Sequence, residues 1–136
     1  MNPPVVDHIG IIVEDLDQAL KLFENLYGLR PAARKDMPEV GLRIAHLKAA
    51  NIDLELLQYT GAEGGFAEKT MGRRPGVNHF SVRVEDVDEA VARFGDNGVR
   101  VMEGFPRQGS HGRVAFFEPD TADGVLMEAC EAEAQE

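Results

Sequence analysis

Four residues in this chain have the types and the placement to hold a divalent cation: His8, Glu55, His79 and Glu128. His8 opens "HIGIIV" and His79 opens "HFSVRV", while Glu55 sits inside "IDLELL" and Glu128 inside "GVLMEAC". Each of these segments reads as a strand, and alternate residues of a strand face opposite ways. Ile9, Ile11 and Val13 then share one face and His8 the other; Phe80, Val82 and Val84 oppose His79. Ile52, Leu54 and Leu56 oppose Glu55, and Val125, Met127 and Ala129 oppose Glu128. A carboxylate in the middle of an apolar strand is costly unless it is paired or coordinated. Two imidazoles and two carboxylates make an N/O ligand set suited to one divalent ion of the Zn, Ni, Co or Mn type. Any one of the four, taken alone, reads better as a hydrogen-bonded core or rim residue. The set is harder to read that way, because both types recur at matching places.

The recurrence is an internal repeat. "DHIGIIVEDLDQALKLF" from Asp7 returns as "NHFSVRVEDVDEAVARF" from Asn78, and the shift of 71 carries His8 onto His79. "LRIAHL" matches "GRVAFF" with a shift of 70, pairing Arg43 with Arg113, and Glu55 falls on Glu128 with a shift of 73. A unit of this size is too long for a solenoid repeat and suits a duplicated supersecondary module.

Each copy must therefore build the strands that carry its histidine and its glutamate. The expected order is strand, helix, then three shorter strands: 5–13, a helix, 29–35, 41–48 and 51–58, and again 78–84, a helix, 99–103, 112–118 and 124–130. Asp15 and Asp86 stand three residues before Gln18 and Glu89, as in a capping box. Gly28 and Gly98 stop the helices. Apolar residues at 16, 19, 20, 22, 23 and 26 should give the first helix its buried stripe, and Val87, Ala90, Val91 and Phe94 the second. The modules span 5–59 and 77–132, joined by a glycine-rich linker, 60–76, with room for one helical turn. The fold class is α+β: two βαβββ modules side by side, forming one curved eight-stranded mixed sheet around a cleft. The bulky rows suit the helix side, so both histidines should face the cleft.

Other residues carry weaker signals. His46 lies in a strand where the second copy has Phe116, which favours a core or sheet-face role. His111, in "RQGSHGRV", enters a strand through a loop in which Gly109 and Gly112 allow close backbone approach, as in an anion-binding turn. Lys69, Arg73, Arg74, Arg107 and Arg113 read as solvated surface or as a landing site for an anionic small molecule. Cys130 reads as packing.

Bulk properties narrow the function. A net charge of −10 over 136 residues argues against nucleic acid or an anionic membrane as the main partner. No apolar run reaches membrane-spanning length, and "MNPPVVDH" lacks the basic and apolar regions of a secretory signal. A lone cysteine excludes an internal disulfide and fits a reducing cytoplasm.

The duplicated motifs resemble the vicinal oxygen chelate superfamily, which includes glyoxalase I, extradiol dioxygenases, antibiotic-resistance proteins and methylmalonyl-CoA epimerase. The resemblance runs from Val5 to about Ala132, and the superfamily's metal positions map onto His8, Glu55, His79 and Glu128. Within it, "GSHGRVAFFEP" and "GVLMEAC" are most similar to the methylmalonyl-CoA epimerase family. That resemblance implies a glyoxalase-like fold, one divalent ion (Co, Ni, Zn or Mn) and a homodimer. It also implies proton abstraction alpha to the thioester of an acyl-CoA, with Glu128 as base. The strand "GLRIAHL" has Ile44 and Ala45 where a second acid would be sought, so internal symmetry offers Glu55 as the partner of Glu128. His111, Gly112, Arg73, Arg74 and Arg107 are the expected substrate contacts. The rival readings are glyoxalase I, which shares the ligand set, and a metal-free drug-binding protein of the resistance type.

Overall fold

The computed structural model describes residues 2–61, 65–110 and 112–131. Its elements are β1 (Val6–Ile12), α1 (Leu16–Tyr27), β2 (Pro31–Met37), β3 (Leu42–Lys48), β4 (Asp53–Tyr59) and α2 (Phe66–Met71). They continue with β5 (Gly76–Val84), α3 (Val87–Asp96), β6 (Arg107–Gln108), β7 (Arg113–Phe117) and β8 (Met127–Glu131). The strands hydrogen-bond in the order β2-β3-β4-β1-β5-β8-β7-β6, an eight-stranded mixed sheet. The chain divides into two compact units: His8–Asn78, and Met1–Asp7 with His79–Glu136.

In the unit His8–Asn78, β1 runs parallel to β4, and β3 pairs antiparallel with both β4 and β2. Helix α1 starts where the sequence predicts: Asp15 Oδ1 accepts from the Gln18 amide at 3.0 Å, and Gly28 closes the helix at φ 71°. Such a cap is worth about 1 kcal/mol. A second acceptor comes from the sheet, where Gln58 Oε1 receives the Leu16 amide at 2.8 Å. The helix packs Leu16 and Leu20 against Ala45, Leu47 and Leu56. The expected stripe is too wide, since Leu22 and Leu26 are 51% and 62% exposed. At 100° per residue they lie well around the helix from the Leu16–Leu20–Phe23 line. The opposite sheet face buries Ile12, Leu42, Ile44 and Leu57 together with Ala67 of α2. The segment expected as a linker therefore contributes a six-residue helix, whose Phe66 and Met71 cover this face.

In the unit containing His79–Glu136, β5 runs parallel to β8, β8 pairs antiparallel with β7, and β7 with β6. The first residues of the chain join it: the Arg83 amide donates to the Val5 carbonyl at 2.9 Å, and Arg83 Nε lies 2.7 Å from Asp7 Oδ1. Asp86 Oδ1 caps α3 from Asp88 and Glu89, and Glu131 Oε2 accepts the Val87 amide at 2.9 Å, as Gln58 does for Leu16. Val87, Ala115, Phe117 and Ala129 form the core under α3.

Two strands of this unit differ from expectation. Instead of a strand at 99–103 there is a single bridge, Val101 to Phe117, and then the two-residue β6. Gly104, at φ 88°, turns the chain, and Pro106 has no N–H to donate to a ladder. The last strand starts at Met127 rather than 124, because Gly124 adopts φ 81°. His111 and the last five residues, 132–136, lie outside the described residues.

Candidate metal and proton-transfer centre

Register, not proximity in sequence, assembles each half of the site. In one unit, Gly10 of β1, Glu55 of β4 and His46 of β3 are cross-strand partners in a single row. In the other, Ser81 of β5, Glu128 of β8 and Phe116 of β7 form the equivalent row. Cross-strand partners point to the same face, and here it is the face away from α1 or α3. The predicted orientation of both histidine–glutamate pairs therefore holds within each unit.

Both pairs are buried. His8 is 7% exposed and Glu55 8%, with His8 Nε2 3.5 Å from Glu55 Oε2. His79 is 4% exposed and Glu128 8%, with His79 Nε2 3.8 Å from Glu128 Oε1. Separations of this size exceed a hydrogen bond. Two ligands each about 2.1 Å from a shared cation, at 90° to 109°, would lie about 3.0 to 3.4 Å apart. Each half thus offers one buried imidazole nitrogen and one carboxylate oxygen near that spacing, two donors of an N/O ligand set.

His46 belongs to the first of these clusters. Its Nδ1 lies 3.6 Å from the same Glu55 Oε2, and it is as buried as Glu55. Phe116 at the matching place in the second copy points to a core or sheet-face role for His46, and the structure places it buried on the sheet face. The available signal was the short connection between the two strands, which places 46 opposite 55 once 48 faces 53. Phe116 instead packs its ring edge-on to His79, centroids 4.9 Å apart.

The other expected contacts are dispersed. Arg73 Nε pairs with Glu68 at 2.8 Å, close to where the Tyr59 hydroxyl donates to the Gly72 carbonyl. Burial, and then the Glu68 carboxylate, push the Tyr59 phenol up to about 12. Lys69 and Arg74 are exposed, and Arg107 is half-buried in β6. Arg113 forms an ion pair with Asp88 at 2.7 Å, which holds the Asp88 carboxyl below its usual range. Before β7 the Gly109 amide donates to the Gly112 carbonyl at 2.7 Å. A Cβ on Gly109 would come within 3.1 Å of the Val114 side chain, so a larger residue there would need its neighbours to shift by a few tenths of an ångström. The Gly109 amide is engaged by that bond.

The model of the glyoxalase/bleomycin resistance protein/dioxygenase superfamily matches residues 7–117. An ethylmalonyl-CoA/methylmalonyl-CoA epimerase of Cereibacter sphaeroides is 34% identical over 129 residues, covering 90% of this chain and 94% of its own. The uncharacterized protein YqjC of Bacillus subtilis is 32% identical over 130 residues, covering 93% of this chain and 91% of its own. Among solved structures, a methylmalonyl-CoA epimerase in complex with methylmalonyl-CoA and NH4+ superposes with a TM-score of 0.83 at 33% identity. That match covers 99% of both chains.

Proposed function

Because the chain belongs to the glyoxalase/bleomycin resistance protein/dioxygenase superfamily, we propose that it is a metal-dependent epimerase interconverting (2R)- and (2S)-methylmalonyl-CoA. One observation carries the reading. Two buried histidine–glutamate pairs occupy equivalent register positions, in a chain similar over nearly its full length to epimerases of this substrate. On this reading His8, Glu55, His79 and Glu128 hold one divalent ion, of the Co, Ni, Zn or Mn type. The ion supplies electrostatic stabilisation of the negative charge that develops on the thioester oxygen.

The chain's own groups move the proton. The Glu128 carboxylate removes the proton from C2, and the C–H electron pair passes into the thioester carbonyl to give an enolate. A proton returned to the opposite face of C2 restores the thioester with inverted configuration, and the Glu55 carboxyl is the group of matching placement in the other half. The cycle leaves Glu128 protonated and Glu55 ionised, and the reverse reaction exchanges their roles. General acid–base assistance of this kind contributes about 10²- to 10⁴-fold to rate. Arg73, Arg74, Arg107, Gly112 and His111 are assigned to the anionic acyl-CoA. Among the described residues no helix is long and apolar enough to cross a membrane. A homodimer in the cytoplasm completes the reading.

Incubation of cobalt-loaded protein with (2R)-methylmalonyl-CoA in D2O should yield deuterium at C2 and the (2S) epimer. Lactoylglutathione formed from methylglyoxal and glutathione, with no C2 exchange, would replace this reading with glyoxalase I.

A further inference from the structure

Ser81 is fully buried, and its Oγ has no hydrogen-bond partner among the described residues. A hydroxyl sealed away without a partner costs about 1–3 kcal/mol, and a strand interior accepts alanine or valine in its place. The position is also specific. Ser81 is the cross-strand partner of Glu128, and it lies two residues along β5, on the same face, from His79. The two rows make the placement sharper. Glu55 has glycine (Gly10) on one side and histidine (His46) on the other. Glu128 has serine on the first side and phenylalanine on the other. Each glutamate thus has one polar row neighbour, from opposite flanks in the two units.

We propose that Ser81 is a positioning residue for Glu128. Its hydroxyl donates a hydrogen bond to the Glu128 carboxylate when that group carries the divalent ion, and so fixes which oxygen faces the ion. Ligating carboxylates are commonly held this way by a neighbouring donor, whose loss lowers metal affinity about 10- to 100-fold. The inference rests on the metal reading above and assigns a role to a residue that does not itself ligate.

The test is Ser81→Ala, read by urea unfolding of the metal-free protein and by Co(II) titration with the visible d–d spectrum. The metal-free variant should be as stable as the parent or more stable, since no hydrogen bond is lost. Its Co(II) affinity should fall at least tenfold, with a shifted d–d band. In a Glu128→Gln background, Ser81→Ala should have a smaller effect on Co(II) affinity. Unchanged affinity and spectrum in Ser81→Ala, while the parent binds one Co(II), would overturn this role and leave the epimerase reading standing. Loss of metal-free stability with normal Co(II) binding would also overturn it, by showing that the hydroxyl is structural. A parent chain that takes up no Co(II) would overturn both.

Discussion

His46 Nδ1 stands 3.6 Å from Glu55 Oε2, at the register position that Phe116 takes opposite Glu128. The duplicated fold thus tolerates phenylalanine beside a buried glutamate in one half and places histidine there in the other. His46→Phe should consequently fold and keep one ion per chain, with affinity within about tenfold of the parent, the lower edge of an outer-shell effect. His8→Ala and His79→Ala each remove a nitrogen ligand and should weaken binding by more than about 100-fold, beyond that range. Metal titration of the three purified variants separates them. Equal losses in all three would make His46 a ligand.

Glu128→Gln preserves size and an oxygen donor but removes the basic carboxylate. Bound metal should be largely retained while C2 deuterium exchange drops by about two or more orders of magnitude. Glu55→Gln should be comparably severe if both carboxylates carry protons. Near-parental exchange in metal-loaded Glu128→Gln would place the base elsewhere.

Tyr59 sets an alkaline limit on stability. Its phenol is raised to about 12, by burial first and by Glu68 second, against about 10 in an unfolded chain. A folded pKa above the unfolded value favours the native state below pH 10, and that contribution is lost as the pH climbs from 10 through 12. Urea unfolding of Tyr59→Phe across this window should show a shallower loss of stability than the parent. Equal slopes would mean that Tyr59 is not the responsible group.

The helix caps can be tested in each half. Asp15 and Asp86 both accept from first-turn amides. Asp15→Ala and Asp86→Ala should each cost about 0.5–2 kcal/mol in chemical denaturation. Two neutral substitutions would show that Gln58 and Glu131, which reach the same helix starts from the sheet, suffice alone.

Much of this molecule was legible before folding, because the relevant signals are local. The caps at Asp15 and Asp86, the stop at Gly28 and the facing of His8, Glu55, His79 and Glu128 follow from short-range backbone preferences and from the period of a strand. The repeat doubled each of those signals. The second strand of the second copy departs from the expected 99–103 because Gly104 and Pro106 change the backbone's options only at single positions.

Sequence by itself determined the two βαβββ copies and the side of the sheet on which each histidine and glutamate stands, since alternation is a property of one strand. Only the tertiary structure decided their neighbours. Register across β3 and β4 set His46 against Glu55, and register across β5 and β8 set the buried Ser81 hydroxyl beside Glu128. The fold of the segment after β4 turned Arg73 to Glu68 and laid α2 over the sheet. Partners of this kind depend on which strand lies alongside which and at what offset. That offset is fixed by packing of whole rows of side chains, and no single segment encodes it.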